Sequence, residues 1–231
     1  MIVYVNGDSH SAGAEAVNKH AFACDDPLYY SLGRQPHPDN LAVSYGCYIA
    51  NALNAILDCD AEAASSNTRI IRSTKEYLET NTPDLVIIGW STWEREEWVH
   101  NGIPWQINVG GIGDDWPDEI VDRYKDWVLT VDWATATKKA HDDIYQLHLE
   151  LNERNIPHYF FNCYSDFHTM PKLDWHDCYL EPYNTEMTYW KWLTNQGHKS
   201  NDWFHFGADA HRKWAEFLLP KVISILEESR V

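Results

Sequence analysis

Residues 1–11 read MIVYVNGDSHS, and the fold turns on how that stretch is parsed. The apolar run Ile2-Val3-Tyr4-Val5 leads into Asn6-Gly7, which predicts a buried first strand closed by a turn. A short run that is apolar on both faces belongs in a parallel sheet covered on both sides. Working outward, residues 84–90 (DLVIIGW), introduced by Pro83, and residues 156–163 (IPHYFFNC) repeat the pattern, and a short strand around 61–64 would come second in order. Between the strands, apolar residues at three- and four-residue spacing predict helices over 41–57, 67 to about 79, and 132–153. A last helix over about 208–228 carries Trp214, Phe217, Leu218, Val222 and Ile225 on one side, with Pro220 expected to bend it. This alternation predicts an α/β fold, a three-layer α/β/α sandwich on a parallel, doubly wound (flavodoxin-like) sheet. With 231 residues the chain is expected to form one domain over 1–231. Two long aromatic stretches, about 93–131 and 164–204, show no clear period and are expected as loop insertions.

The net charge of −17 and the absence of a basic patch exclude nucleic-acid binding by phosphate contacts. The opening stretch has neither a basic start nor a long apolar core, so no signal peptide is expected. No run approaches a membrane span, so no membrane partner is expected and the cytoplasm is the expected location. The five cysteines, Cys24, Cys47, Cys59, Cys163 and Cys178, lack CxxC spacing and read as reduced thiols rather than a disulfide framework or zinc ribbon.

In a doubly wound sheet ligands bind beyond the carboxyl ends of the strands, which singles out the turn Asn6-Gly7-Asp8-Ser9-His10-Ser11. A serine entering a helix there exposes its hydroxyl and offers its own N–H to an oxyanion. Its candidate base stands near the other end of the chain in Asp202-Trp203-Phe204-His205, just before the last amphipathic helix. An aspartate three residues before a histidine in a turn can accept from Nδ1–H and leave Nε2 to take the serine proton. Asp202 read alone is equally a helix cap, with His205 a surface residue.

Together these features resemble the SGNH/GDSL hydrolases, which place GDS after the first strand and DxxH before the last helix. The run His205-Phe206-Gly207-Ala208-Asp209-Ala210-His211 is similar to that family's sequence after the catalytic histidine. The resemblance implies an esterase with Ser9, His205 and Asp202 as triad and no cofactor or metal, acting on a small-molecule or carbohydrate ester, an acetyl ester among them. It also implies an oxyanion hole, and here the sequence departs from the family. Asn67 stands where the second block has glycine, and Ser91 where the third has asparagine, so Ser9 and Asn67 N–H groups, the Asn67 carboxamide and the Ser91 hydroxyl are the candidate donors. Asp8, His10, Trp90 and Arg95 are the candidate substrate-binding residues.

Two other readings compete. Asp8 and His10 match the opening of a metallophosphoesterase site, but the further blocks that would complete a two-metal site are missing. A non-catalytic module stacking sugars on Trp93, Trp98, Trp105 and Trp116 is the third reading.

Overall fold

The computed structural model describes residues 1–19, 35–111, 113 and 116–229. Cys24 lies outside them; the four described cysteines are unpaired. The strands are β1 (Ile2–Gly7), β2 (Ile56–Cys59), β3 (Leu85–Trp90), β4 (Arg95–His100), β5 (Ile103–Asn108) and β6 (His158–Asn162). The helices are α1 (Pro38–Leu41), α2 (Tyr45–Ala52), α3 (Asn67–Thr80), α4 (Asp118–Thr130), α5 (Trp133–Glu153), α6 (Tyr189–Asn195) and α7 (Ala208–Glu228).

Four strands form a parallel sheet in the order β2-β1-β3-β6. Because successive side chains alternate across a strand, the sheet builds two cores. Val3, Val5, Leu85, Ile87, Tyr159 and Phe161 meet Ile49 of α2 and Trp214, Leu218 and Val222 of α7. Tyr4, Val86, Ile88 and Phe160 meet Ile70 and Leu78 of α3 and Ile144, Leu147 and Leu151 of α5 on the other face. These are the expected three layers.

The expected helix over 41–57 is shorter, and the second strand comes earlier than expected. Helix α2 stops because Asn54 takes left-handed angles (φ 50°), and the Ala55 N–H bonds back to the Ala50 carbonyl at 2.8 Å, a Schellman-type close for which Asn is suited. Ile56 and Leu57 then enter the sheet edge, and residues 61–64 form the turn after β2, although the Asp60 and Glu62 N–H groups still bond to β1 carbonyls. The last helix runs through Pro220.

The stretch 93–131 is not loop. Strands β4 and β5 pair as an antiparallel hairpin across Asn101-Gly102, both with positive φ, as a type I′ turn requires. Trp98, Ile107 and Ile120, backed by Trp105, Trp116 and Trp127, give the hairpin and α4 a small core of their own. The hairpin docks on α3 through Arg72–Glu97 (2.8 Å) and the Ser66 N–H to Gln106 Oε1 (2.9 Å). The stretch 164–204 contains α6, and its residues 178–180 run beside β6, extending the sheet edge.

Candidate active site

The site lies beyond the carboxyl ends of β1 and β3. Gly7 ends β1 at φ 152°, and a Cβ there would sit 2.1 Å from Ser11 Oγ and 2.7 Å from the Gly89 carbonyl, so the chain can pass between the strands only as glycine. Ser11 Oγ in turn accepts from the Tyr45 hydroxyl at 2.7 Å, pinning the turn to α2. The segment after Ser9 is not the expected helix. It makes helix-like bonds from Ala12 N–H to the Asp8 carbonyl and from Ala14 N–H to the Ser9 carbonyl, then breaks at Gly13 and Glu15, both left-handed (φ 68° and 59°).

Ser9 Oγ lies 2.8 Å from His205 Nε2. The other ring nitrogen, Nδ1, is 2.7 Å from Glu15 Oε2. Both side chains are nearly buried, at 12% and 13% exposure for His205 and Glu15. The expected place of Asp202 is therefore taken by Glu15, and Asp202 itself is exposed, contributing no polar contact to His205. The neighbouring Asn201 organises this loop. Its Oδ1 accepts from the N–H groups of Trp203 and His205, and its Nδ2 donates to Glu15 Oε2 at 2.7 Å. Asn201 thus ties the histidine backbone and the carboxylate into one unit. No sequence pattern points to Glu15, because its reach to His205 depends on a left-handed backbone that a glutamate rarely takes.

Asp8 is buried beneath the turn. Its Oδ1 accepts from the His10 N–H (3.0 Å), and its Oδ2 accepts from Ser91 Oγ (2.9 Å) and Arg95 Nη1 (3.1 Å). Burial alone would raise this carboxyl, but the neighbouring His10, the Arg95 guanidinium and the hydrogen bonds outweigh it and hold it below the usual carboxylate range. Burial pushes His10 down to about 4, so at neutral pH Arg95 is the cation that balances Asp8. His10 lies 5.5 Å from the His205 ring, centroid to centroid, and its Nδ1 has no partner.

The expected side-chain oxyanion donors are committed elsewhere. The Asn67 carboxamide clamps the backbone of Ser91, its Nδ2 donating to the Ser91 carbonyl (3.0 Å) and its Oδ1 accepting from the Ser91 N–H (2.9 Å). Asn67 is also helical, in the first turn of α3 after the cap Ser66; the left-handed residue of that loop is Ala64 (φ 64°). The Ser91 hydroxyl is spent on Asp8. Trp90 is wholly buried, edge-on to Phe160, and cannot meet a substrate. Arg95 is held by Asp8 and Ser91, and Arg69 and Arg72 pair with Asp60, Glu62, Glu76 and Glu97.

What reaches the mouth is aromatic. Tyr164 packs 5.7 Å from His10, stacks on Trp190 at 5.4 Å and meets Phe204 edge-on at 6.1 Å. Phe204 is 55% exposed. These residues lie in a stretch that has no period, so only their aromatic density marks them in the sequence.

Among the described residues, neither Asp8 nor His10 belongs to a cluster of three metal-ligating side chains. The Arg95 guanidinium already supplies positive charge to Asp8, which disfavours the metallophosphoesterase reading.

No protein-family model and no curated protein matches the sequence. Solved structures do. A carbohydrate esterase whose active site displays divergent catalytic and non-catalytic binding functions is similar over 97% of this chain and 70% of its own, with a TM-score of 0.51 and 13% identity. An acetyl xylan esterase from the rumen bacterium Butyrivibrio proteoclasticus matches over 98% of this chain with a TM-score of 0.49 and 14% identity, and this chain spans 64% of its length. A G-D-S-L family protein from Desulfitobacterium hafniense matches 95% of this chain and 98% of its own, with a TM-score of 0.46 and 10% identity. The parallel β2-β1-β3-β6 sheet between helical layers, with its likeness to the first of these, gives this chain the fold of an SGNH hydrolase.

Proposed function

We propose that the chain is a serine esterase in which Ser9 is the nucleophile, His205 the general base and Glu15, in place of Asp202, the carboxylate that orients it. The observation that carries this reading is the continuous chain Ser9 Oγ, His205 Nε2, His205 Nδ1, Glu15 Oε2, with links of 2.8 and 2.7 Å. Glu15 accepting from Nδ1–H fixes the tautomer with a bare Nε2, which takes the serine proton as Oγ attacks an ester carbonyl. The imidazolium so formed is stabilised by Glu15 and returns its proton to the leaving alcohol. The oxyanion is met by backbone donors, with the Ser9 N–H first and the Asn67 N–H, unpaired by its place at a helix start, as second. The Asp8–Arg95–Ser91 and Asn67–Ser91 bonds hold the turn after β1, the end of β3 and the start of α3 in one arrangement.

The substrate class we favour is an acyl ester of a carbohydrate, with acetyl ahead of a lipid acyl group. Supporting it are the aromatic side chains of Tyr164 and Phe204 beside His10, which offer apolar surface to a sugar ring, and the carbohydrate esterase that this chain resembles at a TM-score of 0.51. No helix of the described residues is long and apolar enough to cross a membrane. The test is reaction with a fluorophosphonate, which reports an activated serine without needing the true substrate. Modification of Ser9, abolished in His205→Ala, together with turnover of an acetylated sugar, is expected. No modification of Ser9 in folded protein overturns the reading.

A further inference from the structure

At the amino end of the sheet, opposite Ser9, three side chains from three elements converge. His148 comes from α5, His158 opens β6, and Cys178 comes from the segment beside β6. One ligand atom of each lies within 4.8 Å of the other two, and all three residues are buried. We propose that these residues form a binding site for a single transition-metal cation of zinc(II) type, remote from the esterase centre. From the sequence no metal is expected, and His168, His176 and His198 stand scattered without ligand spacing. The spacing is hidden because the ligands belong to a helix, a strand and a turn that only the sheet brings together.

The donor set fits such a cation. Two imidazole nitrogens and one thiolate are a borderline-soft set, of the kind that selects zinc over magnesium or calcium. Burial pushes His148 and His158 down to about 4, so both rings are neutral at pH 7. His158 Nδ1 donates to the Ile156 carbonyl at 2.9 Å, the outer contact that fixes a metal-ligating histidine with its Nε2 lone pair inward. That Nε2 now accepts from His148 Nδ1–H at 2.8 Å, and Asn152 Nδ2 donates to His148 Nε2 at 3.0 Å. The cation would replace the proton between the rings. His148 would shift its proton to Nε2, with the Asn152 amide turned to accept it, and the Cys178 thiol would release its proton to solvent. The balance is one proton released per cation.

The backbone holding the ligands is already fixed. Cys178 is tied to β6 by the Phe160 N–H to its carbonyl and held in its own turn by its N–H to the Trp175 carbonyl, each 2.8 Å. A cavity of about 270 Å³, lined by Asn152, His158, His176, Cys178 and Glu228, gives access. His176 stacks 5.9 Å from His148 at the mouth of this cavity, its Nδ1 3.3 Å from Asp174, and stands outside the three-residue cluster, so the fourth place falls to solvent. The acidic groups Asp174, Asp177 and Glu228 surround this mouth and favour a cation.

The test uses the full chain stripped with chelator and titrated with cobalt(II), then zinc(II). Uptake of one cobalt per chain with a thiolate-to-metal charge-transfer band, displaced by zinc, is expected. Cys178→Ser should abolish the band. His158→Gln should weaken binding by at least the ~10–100-fold that loss of an outer contact alone costs. In the unaltered protein, burial pushes the Cys178 thiol up to about 11, and alkylation waits on opening of the segment. Zinc should slow the alkylation of Cys178 measured over hours in mild urea and leave that of the less buried Cys47 unchanged, which decides the matter even if the variants fail to fold. Absence of stoichiometric uptake, a band that persists in Cys178→Ser, or alkylation of Cys178 indifferent to zinc each overturns the proposal. None of these readouts depends on esterase activity.

Discussion

The two ends of the parallel sheet each carry hydrogen-bonded histidines, and their partners differ. At the carboxyl end His205 lies between a hydroxyl and a carboxylate, Ser9 and Glu15. At the amino end His148 and His158 bond to each other, to an amide and to a carbonyl. A carboxylate on Nδ1 compensates the positive charge that appears when Nε2 takes a proton, so the first arrangement suits proton transfer. An imidazole whose ring nitrogens meet only neutral dipoles is held neutral by burial, which here outweighs the carboxylate of Asp174 farther out, so the second arrangement does not favour proton uptake. The same residue type thus serves two chemistries according to what stands behind its ring.

The largest effect should come from cutting the first arrangement at its centre. Ser9→Ala and His205→Ala should each lower kcat for an acetyl ester by about 10⁴-fold or more, and the double variant should be scarcely worse than either, because the pair acts as a unit. Next comes the identity of the acid. Glu15→Gln keeps the shape but loses the charge and should lower kcat by roughly 10²–10⁴-fold. Asp202→Asn, at an exposed position, should stay within about twofold. Steady-state kinetics on the two variants side by side decides, and a large loss in Asp202→Asn with little in Glu15→Gln would restore the sequence-based triad.

That exchange of acids marks the limit of what the sequence discloses. The sheet is legible because IVYVNG, DLVIIGW and HYFFN are apolar on both faces, a pattern that depends on nothing but local composition. The second strand, ILDC, merges with the preceding helix in the sequence because an edge strand exposes half its residues, Ile56 at 69% among them, and the stop between the two is a single asparagine, Asn54. The hairpin is legible in principle, since Asn101-Gly102 flanked by REEWVH and IPWQIN is a strong local signal. Ser9 and His205 are visible by their places relative to the first strand and last helix. Glu15 and the Asn67–Ser91 clamp are not, because both depend on backbone geometry: a left-handed glutamate and a carboxamide facing the end of a neighbouring strand.

Acid should then separate the buried histidines from the rest of the molecule. Burial lowers His10, His148 and His158 to about 4 and His211 to about 3. Unfolded histidines titrate near 6.5, so the unfolded chain takes up protons first as pH falls. Their stabilising contribution is complete above about 6.5, declines between 6.5 and 4, and is lost below. Each tenfold weakening of proton affinity on folding corresponds to about 1.4 kcal/mol, so the four rings together put several kcal/mol at stake. Urea unfolding of the metal-free protein at pH 7.5, 5.5 and 4.5 should show a falling midpoint well before most carboxylates titrate. A midpoint unchanged from 7.5 to 5.5 would mean that these rings are not held neutral.

The smallest effect distinguishes a donor from a brace. If the Asn67 side chain supplied the oxyanion hole, Asn67→Ala would lower kcat by about 10²–10³-fold with the fold intact. With its amide instead paired to the Ser91 backbone at 2.9 and 3.0 Å, the variant leaves a buried N–H and carbonyl without partners, a cost of about 1–3 kcal/mol per group before relaxation. The loss should therefore appear in the urea midpoint, with kcat reduced less than about tenfold through loosening of the β3 end. Asn67→Asp sharpens the comparison. Its carboxylate can still accept from the Ser91 N–H but repels the Ser91 carbonyl, so it should recover part of the stability lost in the alanine variant and none of any donor function. If the aspartate variant matches alanine in stability but falls a further ~10²-fold in kcat, the carboxamide is a donor after all.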